Sequence, residues 1–196
     1  LNANFDSEPN RIPVDISECN KIPKLPYLLM VGSALPRKNR LLALKLIHHL
    51  SKSSNYQLVF AGSPVTNSES NFISLFSLER RFHSIERPCH SLLNMLYCQA
   101  HALIFPSLSE GFGWPLIEAQ ACGCPVIASN TTSIPEVVGL GGLLADPNDV
   151  YAFANHVKSL ELLDNRQNLI QFGFDNIQRF SVARVATSYR DFAFVQ

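Results

Sequence analysis

Charge is scarce in this chain of 196 residues: only 16% are Asp, Glu, Lys or Arg, and the formal net charge is zero. That balance gives no support for a basic face that binds nucleic acid or for a polybasic membrane patch. Long apolar runs are missing too. None approaches the roughly 18 residues that a membrane helix needs, so membrane contact is expected only through parts outside this chain. No secretory leader is evident. The five cysteines, Cys19, Cys89, Cys98, Cys122 and Cys124, form no zinc pattern. Cys122 and Cys124 are too close for ordinary spacing and lack a second pair. The six histidines show no ligand-like grouping, so no metal site is expected. An odd cysteine count within apolar segments favours reduced thiols and a cytoplasmic location. The glycine after the first apolar run, Gly32, is followed by no Gly-x-Gly-x-x-Gly loop, which argues against a dinucleotide-binding oxidoreductase. No Asp-x-Asp pair is present to hold a metal, and no pyridoxal-bearing lysine context of a sugar phosphorylase can be located.

What is present is apolar material, at 46% of residues, enough for one domain with a core. Residues 1–26 are rich in Asn, Pro, Ser and charge and read as a linker or wrapped arm. With Leu at position 1 and a polar opening, the chain is expected to be cut from something longer. From Tyr27 onward, short apolar strands alternate with helical patterns. Strands are predicted at Tyr27–Val31, Tyr56–Ala61, Phe82–Ile85, Ala102–Phe105, Val126–Ala128 and Gly141–Ala145. Helices are predicted at Arg40–Leu50 with Leu41, Leu44, Ile47 and His48 on one face, at Asn67–Arg81 with Phe72, Leu75, Phe76 and Leu78 inward, and at Ser91–Ala100 with Leu92, Leu93, Leu96 and Tyr97 as plain core. Later helices are predicted around Pro135, over Asp149–Leu163 after the Asp149 cap, and twice within 165–195. This alternation implies an α/β fold, a doubly wound parallel sheet with right-handed crossovers.

One stretch organises the chain: Pro106 to Pro125, PSLSEGFGWPLIEAQACGCP. A buried strand ends at Pro106, a glycine pair follows, Pro115 opens a helix, and Gly123 closes it. Glu110 lies in the loop and Glu118 on the helix. Gly111 and Gly113 let the backbone approach a ligand. Amides at the helix start favour an anion, and the two carboxylates can accept bonds from hydroxyls. The set suits a nucleotide sugar. Lys38 sits at the start of the first helix after the first strand, where open α/β sheets bind phosphate. Lys38, Glu110 and Glu118 all follow strand carboxyl ends, so they should share one sheet edge.

The stretch resembles the Glu, seven residues, Glu motif of family 4 of the retaining glycosyltransferases, glycosyl transferases group 1, with the GT-B fold. The resemblance runs from about Tyr27 to the end and matches their C-terminal, donor-binding domain. It implies that 27–196 is a Rossmann-like nucleotide-sugar-binding domain, one half of a GT-B architecture, and that the N-terminal acceptor domain is absent. By resemblance, Lys38 holds the donor diphosphate, Glu118 the ribose and Glu110 the donor sugar, with Lys38 and Glu110 catalytic. Gly32, Ser33, Arg37, Ile85, Gly111, Phe112, Gly113 and Leu116 would line the donor. No metal and no cofactor beyond the donor is implied. The family's final helix crosses back onto the partner domain. One departure stands out: many members carry arginine directly after the strand glycine, where Ser33 stands here. Arg37 is the candidate replacement. The departure keeps a non-catalytic nucleotide-sugar-binding module as the alternative. The isolated domain is expected to be inactive alone. Base, sugar and acceptor are not readable.

Overall fold

The computed structural model describes residues 20–181 and 184. Its centre is one parallel six-stranded sheet: β1 (Tyr27–Gly32), β2 (Gln57–Gly62), β3 (Phe82–Glu86), β4 (Ala102–Phe105), β5 (Val126–Ser129) and β6 (Gly142–Ala145). The strand order is β3-β2-β1-β4-β5-β6. The order reverses between β1 and β4, whose register pairs Leu28 with Ala102 and Leu29 with Leu103. In an open α/β sheet such a reversal leaves a crevice at the strand carboxyl ends.

The strands read as unbroken apolar runs because both faces are covered. Successive side chains alternate. Tyr27, Leu29, Val31, Leu103 and Phe105 pack on one side with α3 (His90–Gln99), α4 (Trp114–Ala121) and α5 (Ile134–Val138). Leu28, Met30, Leu58, Phe60 and Ile104 pack on the other side with α1 (Arg40–Leu50), α2 (Asn67–Leu75) and α6 (Val150–Ser159), while α7 (Leu163–Ile177) reaches this cluster through Leu169 and lies chiefly along α4, with Asn176 donating to Gln120 Oε1. Residues before 20 and the second predicted C-terminal helix lie outside the described residues, apart from residue 184.

Three local expectations need correction. Leu41 is 42% exposed, and α1 buries Leu42, Ala43, Leu46 and Leu50 beside the expected Leu44 and Ile47. The apolar stripe is turned by one residue, which a leucine-rich helix conceals. The helix expected over 67–81 stops at Leu75. The Ser77 amide bonds Ser74 O and the Leu78 amide bonds Ile73 O, with Ser77 at φ 52. That is a Schellman closure with serine in the left-handed position where glycine is usual. It leaves Leu75 and Phe76 exposed and sends Leu78 inward. By contrast, α4 ends as its glycine predicts. Gly123 has φ 67, its amide bonds Gln120 O, and the Cys124 amide bonds Ala119 O. Asp149 caps α6 by accepting from Tyr151 and Ala152 amides.

The ends of β1 and β2 meet through Gly32 and Gly62, at φ 130 and 138. A Cβ on Gly62 would collide with the Gly32 carbonyl oxygen. Gly62→Ala is therefore expected to destabilise the fold by at least roughly 1–3 kcal/mol, from positive φ alone. Urea unfolding measures it, and an unchanged midpoint would show that these strand ends are slack.

Candidate functional site

At the β1–β4 crevice two loops are bolted together. The loop after β1 makes a tight turn over Pro36–Lys38, ending at Asn39 with φ 52. From that left-handed position Asn39 donates to Pro106 O at 3.2 Å and to Pro147 O at 2.7 Å. The Leu108 amide bonds Arg37 O at 2.7 Å. These contacts bring the first cation-bearing turn against the loop after β4.

Lys38 Nζ lies 2.7 Å from Glu110 Oε1, and Arg37 Nη1 lies 2.7 Å from Glu110 Oε2. The Lys38 and Glu110 side chains are 10% and 6% exposed, whereas Arg37 is 46% exposed. Lys38 lies over Gly32 and faces the Phe105 ring at 5.0 Å. Arg37 also donates to Ser109 O. The two cations thus converge, which their adjacency in sequence does not reveal. Together with the single carboxylate they leave one net positive charge at this edge.

Burial pushes the Glu110 acid up. Hydrogen bonds from Lys38 and Arg37, with the Ser107 hydroxyl close by, outweigh it and hold the carboxyl below its usual range. The Ser107 Oγ itself is buried without a well-formed hydrogen bond. The sequence reading missed the loop after β5, which fixes Glu110 from behind. Thr132 Oγ1 accepts from the Glu110 amide, and Ser133 Oγ donates to Glu110 O. Ser129 and Thr131 hydroxyls both donate to Ser107 O. Four hydroxyls within SNTTS are the only signal the sequence held for this support.

Gly113 has φ 98 and caps α4 with no side chain of its own on the amides. A Cβ there would press on Leu116. Gly111 is exposed, with open space where a Cβ would stand. Phe112 meets the tilted Trp114 ring at 4.9 Å and the Phe180 ring edge-to-face at 5.6 Å. Two expected lining residues are in the core instead. Leu116 is fully buried beneath Gly113, and its amide is taken by Gly113 O. Ile85 is 6% exposed and faces the apolar cluster. Neither offers a side-chain surface to a ligand. Ser33 is half-buried beside Gly32. A hollow of about 700 Å3 lies apart from the sheet edge, beyond the Pro36 turn between α1 and α2.

Glu118 makes no contact with Lys38 or Glu110. It is half-buried on α4, and its Oε2 accepts from Tyr97 Oη of α3 at 2.9 Å. Burial raises its pKa above the usual carboxylate range, against the opposing pull of Tyr97 and His90. Among the described residues no cluster of His, Cys, Asp or Glu could hold a metal ion, no disulfide forms, and no helix is long and apolar enough to cross a membrane.

A family model described as glycosyl transferases group 1 matches residues 14–174. This chain belongs to that family. The match to the group 1 glycosyltransferases begins inside the segment read as a linker. The O-antigen chain mannosyltransferase RfbU of Salmonella typhimurium is 30% identical over 187 residues, covering 90% of this chain and 52% of that protein. The chain thus spans about half the length of this curated relative. The C-terminal domain of a group 1 glycosyltransferase from Francisella tularensis superposes with a TM-score of 0.73 at 20% identity, covering 84% of this chain and 91% of that one. Anabaena HepE in complex with UDP-glucose gives 0.76 at 18% identity, covering 97% and 55%. The group 1 domain therefore has the Rossmann-like fold of the GT-B glycosyltransferases, as its strand order indicates.

The Lys38–Glu110 pair also makes a stability prediction. Glu110 binds its proton less tightly folded than unfolded, so its contribution is full above the ordinary carboxylate range and is lost as pH falls through it. Lys38→Met should cost about 2 kcal/mol near neutrality, less than a fully buried pair because Arg37 remains. The difference from the parent should shrink in acid. Urea unfolding across pH measures this, and a cost independent of pH would deny the pair its role.

Proposed function

We propose that this chain is the donor-binding half of a family 4 retaining glycosyltransferase, the half that lies C-terminal to an acceptor domain. It takes a nucleotide diphosphate sugar and serves transfer of a hexose to a polysaccharide acceptor. The observation that carries this reading is the convergence of Arg37 and Lys38 on Glu110 at the sheet edge, with Glu118 on the adjoining helix.

The diphosphate lies between Lys38 and the start of α4, where a cation and the positive end of the helix dipole meet negative charge. Lys38 offsets the charge that develops on the departing diphosphate. With that compensation no metal is required, and no cofactor joins the donor. Glu110, held charged and rigid, accepts hydroxyls of the donor sugar. The backbone at Gly111, Phe112 and Gly113 lines the sugar and diphosphate. Glu118 accepts ribose hydroxyls. Glu110 is clamped by two cations, so a binding role suits it better than that of the covalent nucleophile of a double displacement. Arg37 supplies the second cation that Ser33 does not, which weakens the reading of a non-catalytic module. The mannosyltransferase name of the Salmonella relative supports mannose as the hexose and an O-antigen chain as the acceptor. The UDP-glucose complex of HepE supports nucleotide-sugar binding on this fold.

A thermal-shift panel of uridine, guanosine and adenosine diphosphates and their hexoses tests the reading. The matching donor should stabilise the chain by about 2.7 kcal/mol at a hundredfold excess over Kd. Glu118→Ala should abolish the shift, and a retained shift would move the ribose site elsewhere. The chain alone should show no multiple-turnover transfer, and detectable turnover would contradict its role as half of a catalyst.

A further inference from the structure

Glu118 meets the proposed ribose with one oxygen already committed. Tyr97 is wholly buried, wedged among Leu96, Tyr27 and Cys122 in the core between α3, α4 and the sheet. Its ring cannot turn without disturbing that packing. Its hydroxyl donates to Glu118 Oε2 at 2.9 Å, while among the described residues no hydrogen bond reaches Oε1. A carboxylate offers about four lone-pair directions. The tyrosine fills one and fixes the rotamer, which leaves Oε1 and the remaining direction on Oε2 without a partner among the described residues. Two acceptor positions at a set angle match a cis diol. A sugar lacking one hydroxyl leaves one of them desolvated and unpaired, which is where selectivity between hydroxylated and deoxygenated ligands arises.

We propose that Tyr97 is a positioning residue that aims Glu118 and thereby sets the preference for ribonucleotide over 2′-deoxyribonucleotide donors. This rests on the reading of Glu118 as the ribose acceptor. Tyr97 also keeps that acid charged. Burial drives Glu118 towards its protonated form, and the hydrogen bond from Tyr97 and the charge of His90, both on α3, oppose this. Just past the end of α4 the facing titratable group is the Cys122 thiol, which Cys98, burial and Glu118 keep protonated. Without the tyrosine hydroxyl, Glu118 takes up its proton at higher pH, and ligand binding falls away there too.

The test measures the affinity of the chain for uridine, guanosine and adenosine diphosphates and their 2′-deoxy counterparts by calorimetry across pH, in the parent and in Tyr97→Phe. The parent should prefer the ribo form. The variant should lose about tenfold in affinity for the ribo form, less for the deoxy form, and its acid limb should move to higher pH. His90 is the same in both proteins and cancels in the comparison. A purely structural tyrosine would lower the melting temperature and leave both the ribo-to-deoxy ratio and the acid limb unmoved, which would overturn the proposal while the function reading stands. Failure of the parent to bind any nucleoside diphosphate would overturn both. Should Tyr97→Phe fail to fold, the parent alone decides. Its ribo preference must vanish as Glu118 protonates, and a preference constant with pH refutes the inference.

Discussion

The lysine–carboxylate contact between Lys38 and Glu110 joins the two halves of the sheet at the point where the strand order reverses. Each partner sits on a loop leaving a neighbouring strand, β1 for the lysine and β4 for the acid. A buried pair of this kind contributes little net stability, because desolvation consumes most of the Coulomb gain. What it contributes is position. A charged lysine is held against Gly32 and Phe105 in the crevice, with its partner pinned by the Leu108–Arg37 backbone bond and the hydroxyls after β5. The rest of the edge is arranged to keep that geometry.

Two acids on one loop–helix segment are made chemically different by what surrounds them. Glu110 has cations and hydroxyls about it and stays ionised. Burial pushes Glu118 the other way, and the hydrogen bond from Tyr97 offsets this only in part. In the proposed reaction this separation has a use. The acid nearest the sugar is a fixed charge whose hydroxyl contacts do not depend on pH near neutrality. The acid on the ribose side is a drier acceptor whose hydrogen bonds are stronger for being shielded. The surplus positive charge of Arg37 and Lys38 then falls where the departing diphosphate gathers negative charge.

Much of this was readable from the residues. Apolar runs closed by Gly32, Gly62 and Pro106 marked the strands, and the loops after β1 and β4 followed from them. Gly123 announced its own helix end, because only a left-handed glycine was needed there. Ser77 performs the same closure on α2 and gave no sign, since serine is not expected at positive φ. Tyr97 read as core because apolar spacing cannot see a hydroxyl that reaches across to an acid on the next helix, 21 residues later. Ile85 and Leu116 were placed by resemblance at ligand-facing positions, whereas the burial of the strand and of the helix start claims both side chains. The direction of Arg37 depends on a tight turn whose geometry Asn39 sets through bonds to Pro106 and Pro147, contacts 67 and 108 residues away in sequence.

The central claim is that a diphosphate is held by Lys38 at this reversal while the attached ribose reaches Glu118. A crystal structure of the chain with a bound nucleoside diphosphate measures it directly. The account predicts phosphate oxygens within hydrogen-bond distance of Lys38 Nζ, beside the start of α4, with ribose hydroxyls on Glu118. Phosphates resting elsewhere, with Lys38 still sealed to Glu110 and Glu118 untouched, would contradict it.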